Sequence, residues 1–153
     1  MKNLDKNYDV IIIGFGKGGK TLAAALGAAG KRTVLIEKSS KMYGGTCINV
    51  GCIPTKFLVH KAKEANCSEK DFSEKKALYA KAIEGKAVLT ERLRGKNLQK
   101  VENTPNVTVI TGTAKMLSPH EVEVVTEDGT TVLEGAQIFL NTGPCPLFIL
   151  LRV

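Results

Sequence analysis

The stretch from Tyr8 to Lys38 limits the fold more than any other part of the chain. "YDVIIIG" (Tyr8–Gly14) is a short apolar run, rich in β-branched residues, that ends in glycine, and it reads as a fully buried strand. "KGGKTLAAALGAAGK" then switches to alanine-rich helical composition, with Gly30 as a stop signal. "RTVLIEK" (Arg32–Lys38) reads as a second buried strand. Strand, helix and strand in about 30 residues make a βαβ unit, and such a unit requires a parallel sheet.

The turn between the first strand and the helix is "GFGKGG", which sets Gly14, Gly16 and Gly19 in the spacing G-x-G-x-x-G. The match is meaningful because it leaves a strand, opens a helix and precedes a strand ending in an acid. Gly14 allows the tight turn, Gly16 lets the backbone approach a pyrophosphate, and Gly19 lets helix and strand pack closely. The helix start offers free N–H groups and a positive dipole end to the phosphates. Glu37 lies 18 residues beyond Gly19 and can accept hydrogen bonds from a ribose diol. It would repel a 2′-phosphate, which disfavours NADP at this site. The motif alone does not separate FAD from NAD.

A chain of 153 residues suits one domain of ordinary size, and 43% hydrophobic with 24% charged residues suits a soluble globular protein. The net charge of +7 comes from lysines spread along the chain, many beside glutamates in one helical stretch. That pattern reads as a solvated face rather than a nucleic-acid surface. Neither nucleic acid nor membrane is expected as a partner. The polar start "MKNLDKNYD" and the short run Val10–Ile13 give no signal segment or membrane span, so a cytoplasmic location is expected. Four cysteines are too few for a disulfide scaffold.

Cys47 and Cys52 have four residues between them in "YGGTCINVGCIPTK". A zinc site needs about four ligands, and His60, His120, Cys67 and Cys145 form no second cluster with them. No metal is expected. A structural disulfide would close a very small loop in a reducing compartment. A reversible disulfide accounts for the pair best: a glycine-containing loop keeps the thiols close. A nearby helix start, with Lys56 as a further cation, is expected to lower a thiol pKa. Cys67 reads as a free thiol and Cys145 has no evident partner. His60 and His120 read as surface or packing residues.

"GGTCINVGCIPTK" resembles the active-site signature of the class I pyridine nucleotide-disulfide oxidoreductases, which include dihydrolipoamide dehydrogenase, glutathione reductase and mercuric reductase. The likeness covers almost the whole chain in order. "IIIGFGKGGKTLA" resembles their FAD loop, "LIEK" the strand holding the adenosine ribose, "TGTA" (Thr111–Ala114) the adenine-contacting segment, and "IFLNTG" the strand before a T-G-x-x-P turn. The details look closest to the branch linked with resistance to reactive chlorine species and hypothiocyanous acid.

The resemblance implies an FAD-dependent enzyme of cell redox homeostasis. Electrons pass from NAD(P)H through FAD to the Cys47–Cys52 disulfide, then to a disulfide or another small oxidised substrate. Cys47 is implied as the thiol that attacks substrate, and Cys52 as the thiolate against the flavin. Lys56 is implied near the flavin ring. Gly14, Gly16, Gly19, Glu37 and Lys38 are implied to hold the ADP half of FAD, and Gly45 and Thr46 to line the pyrophosphate and ring. Gly112, Ala114 and Gly143 are implied as backbone contacts.

The expected architecture is an α/β, Rossmann-like FAD-binding domain over residues 1–153, with a parallel sheet and flanking helices. A helical segment at about 54–102 carries the apolar stripe Phe72, Tyr79, Ile83 and Ala87, and a small antiparallel β-meander follows at about 106–134. The hairpin signal is "EDGT" (Glu127–Thr130), and a final strand is expected over Ala136–Asn141. The family's second glycine fingerprint for NAD(P) and its C-terminal dimerisation domain have no counterpart in these residues. After Gly143 the chain runs "PCPLFILLRV". A truncated chain is therefore expected, with little or no NAD(P)H-driven turnover of its own. Two alternatives stand: an inert FAD-binding fragment, and a flavin-free thiol-redox protein. The resemblance implies a homodimer for the full-length family.

Overall fold

The computed structural model describes residues 5–66 and 71–144. Cys67, Cys145, Pro146 and the apolar tail, about which the sequence raised expectations, lie outside these residues. The element order is β1 (Asn7–Ile13), α1 (Lys17–Ala28), β2 (Thr33–Glu37), a 3-10 turn (Ser40–Met42), α2 (Thr46–Asn49), α3 (Cys52–Asn66), α4 (Phe72–Glu102), β3 (Val107–Thr111), β4 (Thr113–Met116), β5 (Glu121–Thr126) and β6 (Gly129–Leu140).

The six strands form one sheet in the order β3-β2-β1-β6-β5-β4. β3, β2, β1 and β6 run parallel, with Val10 opposite Thr33, Thr33 opposite Val107, and Ile13 opposite Leu140. β4, β5 and the first half of β6 are antiparallel. β6 joins the two parts, because Glu134 pairs with Asn7 on one side and with Glu121 on the other. The expected final strand at Ala136–Asn141 is thus the continuation of the hairpin strand rather than a separate element.

β3 is a correction to the expected meander of about 106–134. Val107–Thr111 pairs with β2 in the parallel sheet, and the meander begins only at Thr113. Both segments alternate in a strand-like way, so composition does not separate them. Gly112 does: its N–H donates to the Glu37 carbonyl at 2.9 Å, and a Cβ there would sit 2.7 Å from the Val125 carbonyl oxygen. The chain passes through this narrow gap and changes partner strand.

Alternation along β1 and β2 feeds two cores. Val10, Ile12 and Leu35 face α1 and α4 and pack with Phe15, Ala23, Tyr43 and Val101. Ile11, Val34 and Ile36 face the other way, against Ile110, Val122, Val124 and Leu133. The meander therefore covers the second face of the sheet, where a doubly wound fold would place a helix.

α4 starts at a capping box: the Asp71 carboxylate accepts from the Glu74 N–H at 2.8 Å, and the Glu74 carboxylate accepts from the Asp71 N–H at 3.0 Å. Its 31 residues outrun the sheet, so only the distal part meets the core, through Val101 and Leu98. The proximal part pairs with α3 around an apolar groove of about 460 Å³ lined by residues such as Leu58, Ala62, Leu78 and Ala82. The expected stripe is corrected here. Phe72 is 84% and Tyr79 66% exposed, and Ala87 is exposed. α4 buries Ala82, Thr90 and Val101 instead.

Candidate functional site

The C-terminal ends of the parallel strands carry the chemistry, as open α/β sheets dictate. Gly14 leaves β1 with φ +108°, and a Cβ there would lie 2.2 Å from the Asn141 carbonyl oxygen at the end of β6. A Cβ on Gly19 would lie 2.1 Å from the Gly14 carbonyl oxygen, which confirms that this glycine lets α1 close on β1. Gly16 is the N-cap of α1, and no side chain caps that helix. The helix carries no acid in its first turn, and Lys17 and Lys20 stand there instead.

Glu37 reaches back to this loop. One carboxylate oxygen accepts from the Phe15 N–H at 2.9 Å, and the other accepts from the Ser39 N–H at 3.2 Å. The acid is thus fixed beside the glycine turn, with lone pairs left for a ribose. Its carbonyl accepts from the Gly112 N–H at 2.9 Å, which brings these two candidate residues together. Lys38, Ser40, Thr111 and Gly112 share the wall of a cavity of about 900 Å³. Ala114 stands on β4 and packs against the second core, while Gly143 is exposed with φ +75°.

The cysteine segment docks onto the same loop. Tyr43 stacks obliquely on Phe15, with ring centroids 5.2 Å apart, and its hydroxyl hydrogen-bonds the Thr111 hydroxyl. Gly44 and Gly45 both have positive φ, +89° and +75°. Gly45 caps α2, so Thr46 and Cys47 are its first two residues. Cys52 opens α3, with Pro54 buried in the first turn.

Both cysteines are free thiols, Cys47 half-buried and Cys52 exposed. The Cys47 thiol is hydrogen-bonded to Cys52, which raises its pKa above the ordinary thiol range; burial and a charge on Cys52 add to the rise. The cations that oppose it are Lys17 and Lys20. Two expectations are corrected by this. Cys47 is a weaker acid than an isolated thiol, since the hydrogen bond to Cys52, burial and the Cys52 charge outweigh Lys17 and Lys20. The lysines that act on it come from the glycine helix, whereas Lys56 is exposed on α3. Cys47 and Cys52 thus meet each other, and Gly45 meets Gly16.

Several participants carried no readable signal. Asn141 donates its amide to the Gly14 carbonyl at 3.3 Å and packs over Gly16, Gly18 and Gly19. A polar amide closing the apolar strand "IFLN" beside glycines was the one available hint. Asn49 donates to the Tyr43 and Gly45 carbonyls at 3.1 and 2.9 Å, and Arg94 from α4 donates to Asn49 at 3.3 Å. His60 is exposed and pairs with Glu64 at 3.1 Å, and His120 is also exposed, as read. Among the described residues no group of three or more His, Cys, Asp or Glu could hold a metal, and no helix is long and apolar enough to cross a membrane.

The uncapped α1 terminus, the glycine turn without side chains and the acid at the end of β2 fit the ADP half of a dinucleotide cofactor. Comparison with known proteins agrees with this arrangement. A solved structure of the HOCl-induced flavoprotein disulfide reductase RclA of Escherichia coli, as a Cu(II) complex, matches with TM-score 0.83 and 43% identity, over 96% of this chain and 31% of that one. The sequence described as the probable pyridine nucleotide-disulfide oxidoreductase RclA of Escherichia coli is 46% identical over 89% of this chain, and mitochondrial dihydrolipoyl dehydrogenase 1 of Arabidopsis thaliana is 36% identical over 91%. The chain spans 28% of the length of each of these two relatives. The family model described as pyridine nucleotide-disulphide oxidoreductase matches residues 8–149, and the chain belongs to that family.

Proposed function

We propose that this chain is the FAD-binding, dithiol-bearing part of a flavoprotein disulfide reductase. The observation that carries the reading is the docking of the Cys47 turn on the glycine loop, with Gly45 against Gly16. Gly14, Gly16, Gly19 and Thr46 would hold the pyrophosphate of FAD, Glu37 and Lys38 its ribose side, and Gly112, Ala114 and Gly143 would offer backbone contacts. Lys56 is assigned to the flavin end. When bound, FAD would supply the two electrons that reduce the Cys47–Cys52 disulfide back to the dithiol, with NAD(P)H as their source in the full-length form.

The chain's own thiols do the remaining work. The Cys47 thiolate attacks one sulfur of a disulfide substrate and displaces a thiolate, which takes up a proton. The Cys52 thiolate then attacks the Cys47 sulfur, closing the Cys47–Cys52 disulfide and releasing the second thiol. Other small oxidised substrates belong to this class as well, hypothiocyanous acid and metal ions among them; the similar RclA structure is a Cu(II) complex of an HOCl-induced enzyme. A reducing cytoplasm suits a dithiol that must be regenerated, and we place the protein there. We propose no nucleic-acid or membrane role, and a homodimer for the full-length form.

The test is spectroscopic. The purified chain, reconstituted with FAD, should show flavin absorbance and a long-wavelength band on partial reduction by dithionite. NADH alone should leave the flavin oxidised, because these 153 residues hold one glycine fingerprint. A folded chain that takes up no FAD overturns the reading. If its thiols still cycle, it is a flavin-free thiol-redox protein.

A further inference from the structure

α2 spans only Thr46–Asn49, and a helix of one turn does not hold itself together in water. No side chain caps its N-terminus, and Val50, which ends it, is 64% exposed. This turn nevertheless carries Cys47, and Cys52 opens α3 after a link of residues 50–51. Contacts from outside α2 must therefore fix where the turn points.

Asn49 supplies them. Its Nδ2 donates to the Tyr43 carbonyl at 3.1 Å and to the Gly45 carbonyl at 2.9 Å. Its Oδ1 accepts from the Arg94 guanidinium of α4 at 3.3 Å. These bonds engage both ends of the amide, and a guanidinium can only donate. Arg94 thus sets which way round the group lies: with the oxygen turned to Arg94, the nitrogen has to face the two carbonyls. Arg94 is half-buried and forms no salt bridge among the described residues.

The far ends of these bonds are anchored. Tyr43 is buried, with its ring against Phe15 of the glycine loop and its hydroxyl bonded to the Thr111 hydroxyl at the end of β3. Asn97 lies three residues after Arg94 and so on the same side of α4. Its Cγ is 3.5 Å from where a Gly44 Cβ would be. α4 therefore meets the 43–45 turn directly through Asn97 and indirectly through Arg94 and Asn49. Cys47 lies midway between Gly45 and Asn49, the two residues that the amide ties together.

We propose that Asn49, locked by Arg94, is the positioning residue that sets the Cys47 thiol for bonding to Cys52. The proposal rests on the proposed function, in which these two cysteines cycle between dithiol and disulfide. A turn held in one orientation keeps Cys47 at a high effective concentration beside Cys52, so closure of the disulfide gives up little freedom. A loosened turn must be ordered each time the bond forms.

The experiment equilibrates the full chain with mixtures of reduced and oxidised glutathione. The two thiols give two electrons and two protons to one oxidised glutathione, the Cys47–Cys52 bond forms, and two reduced glutathiones leave. Acid quenching, alkylation and a peptide map then give the linked fraction and separate the pair from Cys67 and Cys145. Asn49→Ala should lower the equilibrium constant for the disulfide about tenfold, which raises the potential by about 30 mV. Asn49→Asp should match it, because it keeps the pull of Arg94 but turns oxygen instead of N–H toward the Tyr43 and Gly45 carbonyls. Arg94→Leu should lower the constant roughly threefold, and Arg94→Lys should restore most of the loss. Asp71→Ala removes the capping box at the other end of α4; it should lower the denaturant midpoint and leave the constant in place.

An unchanged or raised constant in Asn49→Ala, with native circular dichroism, overturns the proposal. If Asn49→Ala does not fold, an unchanged constant in Arg94→Leu overturns it. So does an Asp71→Ala chain whose constant falls as far as that of Asn49→Ala, since the constant then follows stability rather than the turn. Failure of the proposed function looks different: the unsubstituted chain would leave Cys47 and Cys52 unlinked even in fully oxidised glutathione. Equal constants across the variants remove Asn49 alone.

Discussion

Gly16 and Gly45 touch backbone to backbone: a Cβ on Gly45 would lie 2.7 Å from the Gly16 Cα. This contact welds the glycine loop to the turn that carries Cys47. Gly45 also holds φ +75° and ψ −169°, a region that only glycine enters readily. Gly45→Ala should therefore cost about 1–3 kcal/mol of stability from the backbone alone, with the clash on Gly16 added. The denaturant midpoint measures the loss. FAD affinity should fall with it, because relief of the clash moves the two loops apart. A variant with unchanged midpoint and unchanged FAD affinity would show that the loops are not coupled through this contact.

Glu37 makes a second test of the same loop. Its carboxylate takes hydrogen bonds from the N–H groups of Phe15 and Ser39, so it shapes the glycine turn even before any ligand arrives. Glu37→Ala should weaken FAD binding roughly ten- to a hundredfold, since charge-assisted hydrogen bonds contribute about 1.5–3 kcal/mol each. Glu37→Gln keeps one acceptor and should fall between. Equilibrium titration of the apo chain with FAD, followed by flavin fluorescence, distinguishes the three. Equal affinities would remove Glu37 from the ribose site.

Much of this arrangement was legible in the sequence, for physical reasons that particular residues make plain. Gly14, Gly16 and Gly19 announce themselves because a side chain at Gly14 or Gly19 would strike backbone at 2.2 or 2.1 Å. β1 and β2 were legible because buried parallel strands are continuous apolar runs. The division between β3 and the meander was not, since Val107–Thr111 and Thr113–Met116 look alike and differ only in the partner strand that Gly112 gives them. The stripe through Phe72 and Tyr79 misled because helical periodicity shows an apolar face without showing whether anything covers it. Asn97 and Arg94 sit in a helix crowded with polar residues, where nothing local marks the two that reach other elements.

Asn141 is the site residue that composition concealed, and it too can be tested. Its amide holds the Gly14 carbonyl, and its side chain fills the space over Gly16, Gly18 and Gly19. Asn141→Ala should destabilise the chain by about 0.5–1.5 kcal/mol through the lost hydrogen bond. Hydrogen exchange should speed at the N–H groups of 14–19 while that of β2 stays unchanged. Unaltered exchange in the loop would mean that β6, rather than the amide, sets its shape.

The acid strength of Cys47 yields the last prediction, and its sign follows from the neighbours. Cys52 raises the Cys47 pKa twice over, first as hydrogen-bond partner and then through its charge, while Lys17 and Lys20 pull it down. In the reduced chain, Cys47 alkylation should therefore climb only as pH passes beyond the ordinary thiol range. Cys52→Ala removes both raising effects and keeps both lysines, so the midpoint should fall and the neutral-pH rate should rise. The same linkage acts on stability. The folded chain holds the Cys47 proton more tightly than the unfolded chain does, so this contribution is full at neutral pH and is lost as pH rises through the folded value. Reduced chain should thus lose stability with rising alkaline pH more steeply than Cys47→Ser, as read from denaturant midpoints. A midpoint for Cys47 alkylation that rises in Cys52→Ala would mean that Cys52 stabilises the thiolate, the reverse of the electrostatics described.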